Sequence, residues 1–134
     1  MSTPAHRFVE QWKETVAARD VAGLEPLLRE DVVFRSPVVH RPTVGRGPTT
    51  LLLAAVLEVF GELEYTHAYV EEPNGVTLQF ETTVLSDDGR RLEVEGVDVF
   101  GLDDEGRIAT LTVMLRPLSA AQAVGARMRE QLGL

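Results

Sequence analysis

Four stretches in the second half of the chain alternate apolar and polar residues and are separated by tight-turn sequences. The alternation has the two-residue period of β-strands and covers residues 63–72, 76–86, 91–102 and 107–116. The turns between them are Pro73-Asn74-Gly75, Asp87-Asp88-Gly89 and the acidic segment 103–106, which are typical hairpin sequences. This pattern predicts an antiparallel meander and allows few other folds.

Helical patterns precede and follow the meander. Thr3 and Pro4 predict a helix start, followed by an apolar stripe of Phe8, Trp12 and Val16. A short helix over 24–29, a strand over 32–36 and an almost wholly apolar helix over 48–60 come next. Ser119 predicts a capping box that opens a final helix, whose stripe contains Val124, Met128 and Leu132.

Helices placed before a long-stranded sheet indicate an α+β fold in which the helices lie on one face. The expected architecture is one domain over 1–134, a cone-shaped curved antiparallel sheet wrapped around N-terminal helices. Such a cone has an apolar interior, which is a natural site for a hydrophobic small molecule.

Composition narrows the function classes. The chain has 134 residues, no cysteine, a single lysine and a net charge of -8, which argues against nucleic acid as a partner. Its longest apolar run, 51–57, is too short to cross a bilayer, and no signal peptide is visible, so no membrane partner and a cytoplasmic location are expected. The three histidines are far apart, and no metal or other cofactor is expected.

Asp98 is the outstanding candidate for function. On a strand period of two it shares a face with Val94 and Phe100, so its carboxyl lies on the apolar side. Burial of a carboxyl disfavours its charged form, and a pKa well above about 3.9 is expected. The alternative is a structural acid bonded to the backbone or to the indole of Trp12.

Several segments resemble the nuclear transport factor 2-like superfamily, which includes SnoaL-like and ketosteroid isomerase-like domains. They are the run 27–37, the Gly45-Arg46-Gly47 helix start, the Val97–Phe100 stretch and the 104–108 hairpin. The resemblance covers nearly the whole chain and implies the cone-shaped fold. It also implies that Asp98 matches the protonated acid of ketosteroid isomerases, a carboxylic acid that its apolar site keeps neutral near pH 7.

Two other positions of the isomerase pattern differ in this chain. By the resemblance, the general base falls on Ser36 and the tyrosine donor falls on Trp12. A serine does not accept a substrate proton unaided near neutral pH, and an indole is a weak donor. Steroid isomerisation by that mechanism is therefore not expected. A polyketide cyclase-like pairing of Asp98 with His40 or His67 stays open.

The candidate site combines these residues. The predicted catalytic residues are Asp98 and His40, and the predicted ligand-binding residues are Trp12, Phe34, Ser36, Tyr65, His67, Val94, Leu111, Val113 and Leu115. Two functions stay open. One is a pocket protein for a hydrophobic ligand, with isomerase-, cyclase- or dehydratase-like chemistry at Asp98. The other is a non-catalytic dimeric binding or interaction module.

A homodimer through the outer face of the sheet is also expected. By alternation this face carries Val97, Val99, Ile108, Thr110, Thr112 and Met114, which is apolar for a solvated surface. Family members commonly pair sheet to sheet at this surface, and a two-fold interface needs only one self-complementary patch. The alternative is that the C-terminal helix covers this face with its own apolar stripe.

Overall fold

The computed structural model describes residues 3–134, which form four helices, a short 3-10 turn and six strands. In chain order these are α1 (Pro4–Ala17), α2 (Val21–Leu24), the 3-10 turn (Glu25–Leu27), β1 (Leu28–Arg35), β2 (Thr43–Val44), α3 (Arg46–Val59), β3 (Glu64–Glu71), β4 (Gly75–Leu85), β5 (Arg91–Leu102), β6 (Ile108–Arg116) and α4 (Leu118–Gln131). No helix in residues 3–134 is both long and apolar enough to pass through a bilayer.

The predicted start of α1 is confirmed, whereas two other helix predictions are wrong. The Thr3 side chain accepts a hydrogen bond from the backbone N–H of His6. The expected 24–29 helix ends before Leu28, because this side chain is fully buried in β1 opposite Ile108. α4 begins at Leu118 without a side-chain cap, so Ser119 lies inside the helix and makes no capping box.

The strands form one open sheet in the order β2-β1-β6-β5-β4-β3. Strands β3 to β6 are the predicted antiparallel meander. β1 runs parallel to β6, so the whole sheet is mixed, and the two-residue strand β2 on its edge is an addition to the prediction. Register shifts in β1–β6, β3–β4 and β5–β6 bend the sheet.

Helices cover the concave face of the sheet. The larger core cluster packs α1, with Phe8 and Trp12, against Phe100 and Leu111. A second cluster packs Val124 of α4 against strand residues such as Phe80 and Val94. α4 therefore packs inside the cone, and the alternative in which its stripe covers the outer sheet face is wrong.

The outer face is consequently left open in the single chain. Met114 is 57% exposed, Tyr69 is 55% exposed and Val99 is 36% exposed. Ile108 is an exception to the predicted outer set, because the register shift between Gly101 and Leu102 turns it into the core, where it is fully buried.

The homodimer stays a prediction, and Met114 provides its test. Wild-type protein at micromolar concentration is expected to scatter light with the mass of a dimer. Met114→Glu is expected to give a monomer. In an apolar two-fold contact, the new carboxylates of the two protomers would lie close together and repel each other. Leu51→Glu, at an exposed residue of α3 (63% exposed), is the matched control and should remain dimeric, because α3 packs on the opposite face of the sheet. A monomeric wild type would disprove the interface.

Candidate functional site

A cavity of about 370 Å³ lies between the concave face of the sheet and helices α1, α3 and α4. Eight of the eleven predicted site residues line it: Trp12, Phe34, Ser36, Tyr65, Asp98, Leu111, Val113 and Leu115. Most of the wall is aliphatic or aromatic. The polar atoms are therefore few and well separated by apolar surface, as in sites that bury most of a small ligand.

Asp98 supplies the one carboxylate side chain of the cavity wall in the described residues. It is 7% exposed, and its Oδ2 atom accepts a hydrogen bond of 3.4 Å from the Tyr65 hydroxyl. Within residues 3–134 no side chain or backbone group bonds the other oxygen, Oδ1. Burial raises the pKa of Asp98 to about 7, and the Tyr65 hydrogen bond opposes this rise only in part. The protonated and ionised forms of the carboxyl are therefore both populated near neutral pH.

Tyr65 connects Asp98 to the first helix. Its hydroxyl oxygen accepts a 2.8 Å hydrogen bond from Nε1 of Trp12 while its own proton is directed to Asp98. Burial, reinforced by the Asp98 charge, raises the pKa of Tyr65 well above its ordinary value, so it stays a neutral donor. The alternative in which Trp12 bonds Asp98 directly is wrong, because Tyr65 stands between them.

The expectation that His67 shares a face with Tyr65 is also wrong. Tyr65 pairs with Phe80, but His67 pairs with Gln79, so one extra residue, Thr66, is inserted between them. Such a bulge reverses the direction of every later side chain in the strand. His67 is therefore exposed on the outer face of the sheet, outside the cavity.

Two further predicted residues do not reach the cavity. His40 is exposed in the loop between β1 and β2, and its neighbour Arg41 lines the cavity instead. Val94 is buried in the second core cluster with Phe80 and Val124, and it does not line the cavity. A side chain at Gly96 would overlap Phe80 and Leu115, so these two side chains close over the glycine and form the cavity wall there.

Ser36 lines the cavity but has a structural task. Its Oγ atom accepts hydrogen bonds of 3.1 Å from the backbone N–H groups of Val38 and Val39. This arrangement folds the chain sharply after β1 and orders the loop at the cavity mouth. A hydroxyl that is occupied in this way offers no general base at the position where the isomerase pattern has one.

Comparison with known proteins places the chain in a family. Residues 9–111 match the SnoaL-like domain. This chain belongs to the SnoaL-like domain family. A crystal structure of a steroid delta-isomerase from Pseudomonas aeruginosa is similar to it, with 35% sequence identity and a TM-score of 0.89, over 99% of this chain and 94% of that one. No curated protein matches the sequence.

Two other solved structures are similar to this SnoaL-like chain. An uncharacterised bacterial protein with a cystatin-like fold from Silicibacter pomeroyi DSS-3 shares 29% identity, with a TM-score of 0.86 over 96% of this chain and 86% of that one. The epoxide hydrolase/cyclase-like enzyme SalBIII takes part in pyran ring formation in salinomycin. It shares 19% identity, with a TM-score of 0.72 over 84% of this chain and 91% of that one. At this identity the similarity supports the fold alone. The nuclear transport factor 2-like α+β cone implied by the sequence resemblance is thus confirmed.

Sequence reasoning missed part of this SnoaL-like site. The omitted wall residues lie mainly on α3 and α4, and they include Leu52, Leu53, Val56, Val124, Met128 and Leu132, with Arg41 and Arg129 as polar members. A signal for them existed, because the apolar circumference of α3 predicted packing on several sides and the stripe on α4 required an apolar surface to pack against. Among residues 3–134, no group of three His, Cys, Asp or Glu residues is arranged to hold a metal ion.

The hydrogen bond between Tyr65 and Asp98 leads to a prediction about the carboxyl. Tyr65→Phe is expected to raise the pKa of Asp98 further, since the hydroxyl stabilises the ionised form. The variant should also lose about 1–3 kcal/mol of stability, because the Trp12 indole N–H becomes an unpaired buried donor. Carbon-13 NMR titration of the carboxyl measures the shift. Tyr69→Phe, which removes an exposed hydroxyl of the same strand, should leave it unchanged; an equal titration in both variants would contradict the bond.

Proposed function

We propose that this SnoaL-like domain binds an apolar small molecule that carries a carbonyl or hydroxyl oxygen. The proposal is carried by one observation, the unpaired Asp98 Oδ1 atom at the closed end of a cavity whose wall is mostly apolar. A protonated carboxyl there donates a hydrogen bond to the ligand oxygen, and the surrounding apolar side chains strengthen the bond by excluding water.

The same geometry supports chemistry of the isomerase, cyclase or dehydratase type with Asp98 as the acid. A hydrogen bond from Asp98 to a ketone oxygen draws electron density from the carbonyl and acidifies the neighbouring C–H bonds. The proton from carbon then passes to water, because the described cavity wall offers no second carboxylate side chain and no histidine. As the proton leaves carbon, Asp98 transfers its own proton to the oxygen and an enol forms. When the enol reverts to the ketone, water returns a proton to carbon and the ionised Asp98 takes back the proton from oxygen.

A non-catalytic dimeric binding or interaction module is the second candidate. It is favoured by the engagement of Ser36 Oγ with two backbone N–H groups, which leaves the cavity without an assigned base. The open volume of about 370 Å³ with Asp98 on its wall supports the first candidate instead, since a module that only packs against a partner has no need of it.

Binding is tested with 2-tetralone and tetralin, two bicyclic molecules that differ by one ketone oxygen. Quenching of Trp12, the single tryptophan, reports entry because this side chain lines the cavity. At pH 5.5, 2-tetralone is expected to bind about tenfold more tightly than tetralin, the effect of one good hydrogen bond in an apolar site. The preference should weaken above pH 7 and disappear in Asp98→Leu. Equal binding of both molecules at pH 5.5 would refute the role of Asp98.

Proton exchange separates the two candidates. The exchange of the α-protons of 2-tetralone with deuterium oxide is followed by NMR with and without protein. An Asp98 acid should accelerate exchange at pH 5.5, and Asp98→Asn should lower the acceleration while 2-tetralone still binds. Binding of 2-tetralone without any acceleration would identify the protein as a non-catalytic module.

A further inference from the structure

The cavity has a closed end and an open mouth of different chemistry. Asp98, Trp12 and Leu111 are all less than 10% exposed and form its closed end. The exposed wall residues mark the mouth, and two of them are arginines: Arg41 in the loop between β1 and β2, and Arg129 in the last turn of α4. The wall is thus apolar between a carboxyl inside and two guanidinium groups outside.

Both mouth arginines lack an acidic partner. Five other arginines of the described chain form ion pairs with Asp or Glu side chains: Arg29, Arg90, Arg107, Arg116 and Arg127. In residues 3–134, no carboxylate lies within 4.0 Å of a nitrogen of Arg41 or Arg129, and neither side chain donates a hydrogen bond. Their guanidinium groups therefore keep their full hydrogen-bonding capacity for a ligand.

The position of Arg129 relative to the mouth is shown by Gly125. A methyl group built on Gly125 would stand 3.5 Å from Val38 and 3.8 Å from Nη1 of Arg129. The guanidinium thus lies over the gap between α4 and the loop that follows β1. This loop carries Arg41, so the two cations flank the entrance from two different elements of the fold.

We infer that the ligand of the proposed site is an apolar organic acid, whose body fills the cavity and whose ionised group binds Arg41 and Arg129 at the mouth. The inference rests on the proposed function, because it names the ligand class of the same cavity. The chain carries a net charge of -8, which repels anions over most of its surface. Two unpaired arginines at the entrance attract anions locally. A guanidinium also forms paired hydrogen bonds with the oxygens of an acid.

The test compares two dyes with the same ring skeleton. They are 8-anilinonaphthalene-1-sulfonate, an apolar acid, and N-phenyl-1-naphthylamine, its neutral counterpart; both become fluorescent in apolar sites. Arg41→Gln/Arg129→Gln is expected to bind the sulfonate about tenfold more weakly than wild type, and the neutral dye equally well. A higher salt concentration should weaken the binding of the sulfonate and leave the binding of the neutral dye unchanged. Arg35→Gln, which removes an arginine that does not line the cavity, is the matched control and should bind both dyes like wild type.

The outcomes separate this inference from the proposed function. If the neutral dye binds and the double variant binds the sulfonate as tightly as wild type does, the inference is overturned while the cavity remains a binding site. An equal loss in Arg35→Gln also overturns it, since a general charge effect would then explain the result. If neither dye nor 2-tetralone binds, the proposed function fails and the inference fails with it.

Discussion

The wild-type protein is expected to become less stable as the pH rises from about 4 to about 7, and Asp98→Asn is expected to abolish this dependence. In the folded protein burial raises the pKa of Asp98 to about 7, whereas in the unfolded chain this carboxyl titrates near its ordinary value of about 3.9. Between these values the folded state holds a proton that the unfolded state has released. The free energy of unfolding therefore falls with rising pH, by about 1.4 kcal/mol per unit and ~4 kcal/mol in all.

The sign of the effect sets the pH window. The contribution of Asp98 is complete below pH about 4, decreases as the pH rises towards 7, and is constant above it, where both states are ionised. An amide does not titrate, so Asp98→Asn should be less stable than wild type, or equal to it, at pH 4 and more stable at pH 8. Urea unfolding followed by circular dichroism between these pH values measures the difference.

A matched control isolates the buried carboxyl from the other acids of the chain. Asp104→Asn removes an exposed carboxyl from the turn between β5 and β6 and should follow the wild-type pH profile. Parallel profiles for wild type and Asp98→Asn would mean that Asp98 is ionised in the folded protein at pH 5, contrary to its burial. The gain at pH 8 would accompany loss of the acid proposed for catalysis, because an amide can donate a hydrogen bond but cannot transfer a proton, and this is a common exchange of stability against function.

The position of Asp98 could be predicted from the sequence because it depends only on local periodicity. β5 runs without a bulge from Arg91 to Gly101 along β4, so simple alternation gives the correct face for Asp98 and for its neighbours. The same rule failed in β3, where Thr66 is inserted between Tyr65 and His67. Neither glycine nor proline marks this bulge, so nothing in the local sequence shows where the alternation changes phase.

Features that depend on distant parts of the chain were harder to predict. Trp12 and Tyr65 are 53 positions apart in the sequence, and their hydrogen bond exists only because α1 lies across β3. The parallel pairing of β1 with β6 has no local signature either, since a strand sequence does not state its partner. The cavity mouth likewise joins α4 to the loop after β1, which is why Arg41 and Arg129 were not recognised as one pair.

The placement of Trp12 depends on a cluster of three aromatic rings below the cavity. The ring of Phe100 lies edge-on to Phe8 and to Trp12, at centroid distances of 4.8 and 4.9 Å, and it is 2% exposed. Phe100→Ala is therefore expected to cost about 3–5 kcal/mol of stability, the loss typical of removing a buried phenylalanine ring. Val99→Ala, one residue earlier and 36% exposed on the outer face, should cost less than about 1 kcal/mol.

The aromatic cluster also determines whether the site keeps its geometry. Without the ring of Phe100, Trp12 gains room to move, and its hydrogen bond to Tyr65 and the bond from Tyr65 to Asp98 weaken together. Phe100→Leu, which retains more of the volume, should fold better than Phe100→Ala. It should still reduce the preference for 2-tetralone over tetralin, because it lacks the flat edge that orients the indole. A Phe100→Leu variant with the wild-type preference would show that Trp12 is held in place without Phe100, and that Tyr65 alone aligns the carboxyl.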